Sequence, residues 1–169
     1  MDMINISEET RNRIWEFKLP TYQEIPDIGL FLEQTTKFVA EYLEPLEGIT
    51  LTGSMISNYV KKKLIANPVK KQYYREQIAE IIFIALVKSV LSLEEAEKML
   101  KLQRESYESQ RAYTYFCAEF KRVLSYVFGM ETELAEVSAE DTVEKELLRK
   151  IITAVAYKIY LNEVFREVE

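Results

Sequence analysis

Apolar residues recur three and four positions apart along almost the whole of this chain, and only four glycines and four prolines punctuate its 169 residues. A 3.6-residue period gathers such residues on one face of a helix, whereas strands need alternation, so the chain reads as all-α. With 48% of its residues hydrophobic, it can bury one real core, or two small adjoining ones, without a disulfide or a metal. Cys117 is the only cysteine, and histidine is absent. These facts exclude an internal disulfide, the usual zinc sites and histidine-based triads. No nucleophile with a base and no metal cluster can be assembled from the remaining residues, so a non-catalytic protein without a cofactor is expected. The start, MDMINISEET, is acidic and lacks a positive segment followed by an apolar one, and the longest apolar run, residues 81–87, is too short to cross a bilayer. A cytoplasmic protein without membrane contact is the expectation.

Ser7 can cap a short helix reaching about Phe17, after which LPTYQEIP is a break holding Pro20 and Pro26. Pro26 suits a first helical turn, and a helix begun there places Ile28, Phe31, Leu32, Thr35, Phe38, Val39, Tyr42 and Leu43 on one face, ending at Pro45 and Gly48. Thr52 or Ser54 then caps a compact helix with Ile56, Tyr59, Val60 and Leu64 inward and Ser57, Asn58, Lys61 and Lys62 outward. Pro68 stops it, and VKKQYY is predicted to be a small basic hairpin or wing. A long apolar helix follows over about 74–90, with Ile78, Ile81, Ile82, Ala85 and Leu86 as its core face. Ser92 and Glu95 form a capping box for a helix ending near Leu102. Two long helices complete the chain, over about 105–128, closed by Gly129, and about 140–168, joined by the acidic linker METELAEVSAED.

Charge is distributed unevenly over these elements. The chain carries a formal net charge of -6, yet residues 51–75 hold Lys61, Lys62, Lys63, Lys70, Lys71 and Arg75 and no acidic residue. The flanking segments are each net acidic. A basic island in acidic surroundings can meet a polyanion through one face while the rest of the surface is held off. The plainer reading is that the lysines only solvate a helix face.

Two helices, the second short with a polar basic outer face, then a basic hairpin and a further helix, describe a winged helix-turn-helix. MISNYVKKKLI resembles the recognition helix of the MerR group, with Ile56, Tyr59, Leu64 and Ile65 in matching places, while Ser57 stands at the usual arginine, Asn58 at the first aromatic and Lys63 at the glycine. Tyr73 with Ile78, Ile81 and Ile84 matches the spacing beyond the wing, and LSLEEAEKML resembles the group's second helix pair; the likeness covers about residues 50–102. The whole chain, including PTYQEIPDIGLFLEQ, is similar to an uncharacterised family of Gram-positive bacterial proteins of the YkrK type. Both resemblances imply a DNA-binding regulator.

On that reading Ser57, Asn58, Lys61 and Lys62 face the major groove, with Asn58 able to pair with an adenine edge. Lys63, Lys70, Lys71 and Arg75 are expected on phosphates, and Ser54 with the helix-start N–H groups on another. For Tyr73, at the wing base, packing and phosphate contact are both open. The aromatic set Tyr107, Tyr113, Tyr115, Phe116, Phe120, Tyr126 and Phe128, with Tyr157, Tyr160 and Phe165 opposite, is read as core or dimer interface, with an effector pocket as the alternative. Cys117 within it is read as a small buried hydrophobe. Residues 1–102 are expected to form the helix-turn-helix domain with its N-terminal helix. Residues 103–169 are expected to form a helical hairpin that dimerises or takes an effector. The expected function is a sequence-specific, homodimeric transcriptional regulator bound to double-stranded DNA. The alternative is a non-catalytic helical module that docks an acidic protein partner.

Overall fold

The computed structural model describes residues 6–132, 134 and 142–168, and four of its helices begin at a serine or threonine whose side chain accepts from a free backbone N–H. Helix α1 (Glu8–Glu16) starts at Ser7, whose Oγ accepts from the Thr10 N–H at 3.1 Å. Its last carbonyls are held from outside, because Lys121 Nζ donates to the carbonyl oxygens of Ile14, Trp15 and Phe17 at 3.2, 2.5 and 2.6 Å.

The second helix does not begin at Pro26. The chain first turns at Gly29, in the left-handed region (φ +80°), and runs through strand β1 (Leu30–Phe31) before helix α2 (Leu32–Leu43). A Cβ on Gly29 would lie 3.0 Å from Tyr74 Cζ and 3.1 Å from Gln72 Cβ, so its absence lets this segment lie against the later hairpin. As a result Ile28 and Phe31, expected in the core, are exposed, while Thr35, Val39 and Leu43 are buried as expected. The Gln34 side chain closes the new helix start by accepting from the Phe31 N–H at 2.9 Å.

Helix α3 (Gly53–Lys61) is capped by Thr52 and followed by a hairpin whose strand β2 (Gln72–Tyr73) pairs antiparallel with β1, Leu30 opposite Tyr73 and Phe31 opposite Gln72. The connection from α2 to α3, residues 44–52, is longer than the three- or four-residue turn of a simple helix-turn-helix, and it buries Leu46, Ile49 and Leu51 beneath itself. Helix α4 (Arg75–Val87) is the axis of the fold. Nine of its residues, Ile78, Ala79 and 81–87, are buried, so burial extends beyond the expected core face to Ala79, Phe83, Ile84 and Val87 and covers most of the helix surface.

Helix α5 (Leu93–Ser106) begins at the Ser92–Glu95 capping box, with Glu95 N–H to Ser92 Oγ at 3.1 Å and Ser92 N–H to Glu95 Oε1 at 2.9 Å, and extends one turn past the expected end at Leu102. Helix α6 (Ser109–Val127) ends at Phe128 with Gly129 left-handed beyond it, and helix α7 (Val143–Glu167) closes the chain. The C-terminal hairpin expected from the sequence is not what these two helices form. Tyr107 hydroxyl meets Thr142 hydroxyl at 3.2 Å, Glu119 Oε1 accepts from Arg149 Nε at 3.1 Å, and the rings of Phe128 and Tyr160 lie 5.3 Å apart. Contacts thus advance together along both helices, which are parallel. A short loop would force antiparallel neighbours, but the fifteen residues from 128 to 142 can reach about 50 Å when extended, against about 28 Å for the length of α6. The expected linker METELAEVSAED falls largely on 133 and 135–141, outside the described residues.

Helices α6 and α7 supply Phe116, Phe120, Val123, Leu124, Ile152, Val155, Ala156 and Ile159 to the same core as α4. Two buried carboxylates lock this packing, Glu119 between Arg122 (2.6 Å) and Arg149, and Glu163 between Arg13 (2.6 Å) and Arg166 (2.8 Å). Breaking such a pair from one side costs about 3–5 kcal/mol, because the remaining charge stays buried. Among the described residues no helix is long and apolar enough to cross a membrane.

Candidate nucleic-acid interface

Helix α3 presents its polar face because its apolar residues are committed elsewhere: Ile56 and Tyr59 are buried and Val60 is half-buried against the core. Burial pushes the Tyr59 hydroxyl up to about 12, so it stays neutral beneath the helix. Ser54, Ser57, Lys61 and Lys62 are exposed and Asn58 half-buried, and Leu32, Thr52, Gly53, Ser54, Ser57, Asn58 and Lys61 line one shallow depression. The first turn of α3 carries no acid. Its N-terminal partial charge is therefore not neutralised, and anions are favoured there.

The C-terminal end of α3 is a Schellman motif. Lys63 N–H donates to Val60 O at 3.0 Å and Leu64 N–H to Tyr59 O at 2.9 Å, with Lys63 left-handed at φ 64° and Leu64 buried as the accompanying apolar contact. Glycine normally fills that position. The hairpin repeats the pattern: Val69 and Gln72 exchange both backbone hydrogen bonds at 3.0 Å around Lys70 (φ 51°) and Lys71 (φ 66°). A two-residue turn with both central residues left-handed ordinarily takes Asn-Gly. Lys63, Lys70 and Lys71 are the only non-glycine residues with positive φ among those described, and all three are exposed. None of Lys61, Lys62, Lys63, Lys70 and Lys71 makes an ion pair or side-chain hydrogen bond among the described residues.

Two residues of the expected contact set are occupied elsewhere. Tyr73 is only 4% exposed and packs under the hairpin. Arg75 donates to Ile25 O at 2.8 Å and Gln23 O at 3.2 Å, pairs with Asp27 at 3.7 Å and stacks over Tyr22, so its guanidinium holds the loop before β1. The remaining eight, Ser54, Ser57, Asn58, Lys61, Lys62, Lys63, Lys70 and Lys71, lie on α3, its C-terminal turn and the hairpin tip. Sequence reasoning missed the apolar residues beside them: Phe31 is 50% exposed, Val69 59% and Ile28 81%. The signal was Gly29 ahead of Leu30-Phe31, a turn residue before a short β-prone pair.

The aromatic set divides by environment. Tyr113, Phe116, Phe120 and Phe128 are core, with Tyr113 hydroxyl donating to Pro20 O at 2.7 Å, while Tyr126 of α6 and Tyr157 and Phe165 of α7 are exposed. Tyr107 and Tyr115 line an open cleft of about 550 Å³ between α5, α6 and α7, with Met99 and Leu148 among its apolar residues. The Cys117 thiol is pushed up to about 12 by burial, which makes it a poor nucleophile.

No curated protein and no solved structure matches the chain. A family model does match, over residues 20–116, from the loop before β1 into α6 and so across the whole basic surface. The chain belongs to the family described as a domain of unknown function, DUF1836.

Proposed function

We infer that the protein is a sequence-specific DNA-binding regulator of transcription, with α3 as a MerR-like recognition helix, the Lys70-Lys71 hairpin as its wing, and a dimer as the active form. The observation that carries this reading is the identity of the three left-handed residues. Each lysine there costs about 1–2 kcal/mol of backbone strain that glycine would avoid. Local rules are broken where function compensates. A cation is the property common to all three, and a phosphate backbone is the partner that uses several unpaired cations on one face. The likeness to the MerR group and to YkrK-type proteins supports the same assignment, and the long α2–α3 connection makes this a variant of the winged helix-turn-helix.

Dimerisation follows from affinity and from α7. One short recognition helix with a few phosphate contacts binds weakly, and two copies a helical turn of DNA apart bind usefully. Along α7, positions 143, 147, 150, 154, 157, 161, 165 and 168 fall on one arc, occupied by Val, Leu, Lys, Ala, Tyr, Leu, Phe and Val, and the large apolar residues among them are exposed. An unpartnered apolar stripe of several hundred Å² marks an interface.

Selection of bound duplexes from a random pool by the full chain tests the reading. An enriched palindrome is the expected result. Weak binding without enrichment would leave only charge attraction, and the island would then serve an acidic protein partner.

A further inference from the structure

Beside the lysine turn lies an apolar surface with no role in the core. Cross-strand partners point to the same face of a sheet, and Gln72 is opposite Phe31 on one side and bridged to Val69 on the other. Phe31, Gln72 and Val69 therefore form one outward row, with Leu30 and the buried Tyr73 directed inward. Half of Phe31 and more than half of Val69 face solvent, and Ile28 is exposed just before the Gly29 turn. Phe31 and Val69, on either side of Gln72 on the outer face, with Ile28 exposed before the turn, leave an apolar surface open to contact.

The row is continuous with the basic face. Leu32, next to Phe31, shares a depression with Ser54, Ser57, Asn58 and Lys61, and Val69 shares another with Lys61 and Lys63. Lys70 and Lys71 form the turn that follows Val69 directly. Apolar side chains flanked on both sides by unpaired cations match a nucleic-acid groove, whose walls are sugar and whose rims are phosphate. A core-type protein partner would leave those cations unmatched.

We propose that this row is a second DNA-reading element: with α3 in the major groove, Phe31 and Val69 enter the adjacent minor groove, where Phe31 wedges against a base step and bends the duplex. Minor-groove proteins use apolar wedges in this way, unstacking a step and bending the duplex toward the major groove, with cations holding the phosphates on either side. Flexible pyrimidine–purine steps deform most easily, so such a step is expected in the bound sequence at the wing position, untouched by α3. The inference rests on the DNA-binding reading and adds a contact to it.

The test uses the full chain and a duplex recovered from the random pool, end-labelled for energy transfer so that affinity and bend are read together. Phe31→Ala is expected to weaken binding about tenfold and to lose most of the bend, with the salt dependence unchanged, and Phe31→Leu to restore both. A minor-groove-binding polyamide should compete. Lys70→Gln with Lys71→Gln should instead weaken binding to all duplexes and flatten the salt dependence by about 0.9 for each phosphate no longer neutralised. Phe31 is half-exposed, so melting temperature separates weakened binding from impaired folding. If Phe31→Ala binds and bends like the parent while the lysine variant fails, the wedge is wrong and the DNA-binding reading stands. If the parent binds no duplex, both fall. Phe31-dependent binding to phosphatidylserine vesicles, without Phe31-dependent duplex binding, would assign the row to a lipid surface and overturn the proposal.

Discussion

On the DNA-binding reading, the three left-handed lysines permit stability and binding to be moved in opposite directions. Replacing Lys63 by Gly, or the turn by Lys70→Asn with Lys71→Gly, relieves about 1–2 kcal/mol of strain per position and adds about 0.5–1 kcal/mol of chain entropy for each glycine introduced. Net stabilisation of about 0.5–1 kcal/mol per relieved position is therefore expected in urea denaturation. DNA affinity should fall at the same time, with a smaller salt slope. Lys63→Gln is the control, since it removes the charge and keeps the strain. Glycine variants that gain stability without losing affinity or salt dependence would remove the lysines from any phosphate contact. Much of this surface was legible in the residues, because Ser57 and Lys61 fall on the far side of the helix from Ile56 and Tyr59 by helical period alone. Arg75 was not, since its partners come from the loop at residues 23–27, some fifty positions away, whereas for Tyr73, left open between packing and phosphate contact, the burial beneath the hairpin decides for packing.

Helix starts were legible at Ser7, Thr52 and Ser92 because a cap is a contact between residues three apart. The start of α2 was not, because Pro26 and the spacing of Ile28 and Phe31 satisfy helical rules locally, and only pairing with β2 overrides them. The parallel course of α6 and α7 was equally hidden, since the same apolar period serves either direction. This course carries the end of α7 back to α1, where Glu167 accepts from Ser7 Oγ at 2.7 Å and Thr10 Oγ1 at 2.8 Å. Those hydroxyls hold the Glu167 carboxyl below its ordinary 4.5. A carboxylate with a depressed folded value contributes stability above the unfolded value and loses it as pH falls through the folded one. Acidification below about pH 4.5 should therefore loosen α1 from α7, seen as faster amide exchange in α1 than in α4. Glu167→Gln should remove that pH dependence, and exchange in α1 that is insensitive to both changes would show that the clasp carries no weight.

At the scale of the molecule, the shared core decides how dimerisation can be tested. Ending the chain near Leu102 would strip from α4 the side chains of Phe116, Phe120, Val123, Ile152 and Ile159, so the product would report on folding rather than on assembly. The exposed arc of α7 offers a cleaner test because it contributes little to that core. The arc is self-complementary about a two-fold axis between Tyr157 and Lys158: an antiparallel partner places Ala154 opposite Leu161, small against large, Leu147 opposite Val168, and the Lys150 ammonium against the Phe165 ring. Light scattering of the full chain should report a dimer at micromolar concentration, and Leu161→Glu with Phe165→Glu should report a monomer whose helix content is unchanged. Ala154→Leu should also weaken the dimer, since it sets large against large. The monomer should keep weak binding to a half-site and lose the gain from a palindrome. A parent chain that stays monomeric at high concentration, or a charged double variant that still dimerises, would place the interface elsewhere than α7.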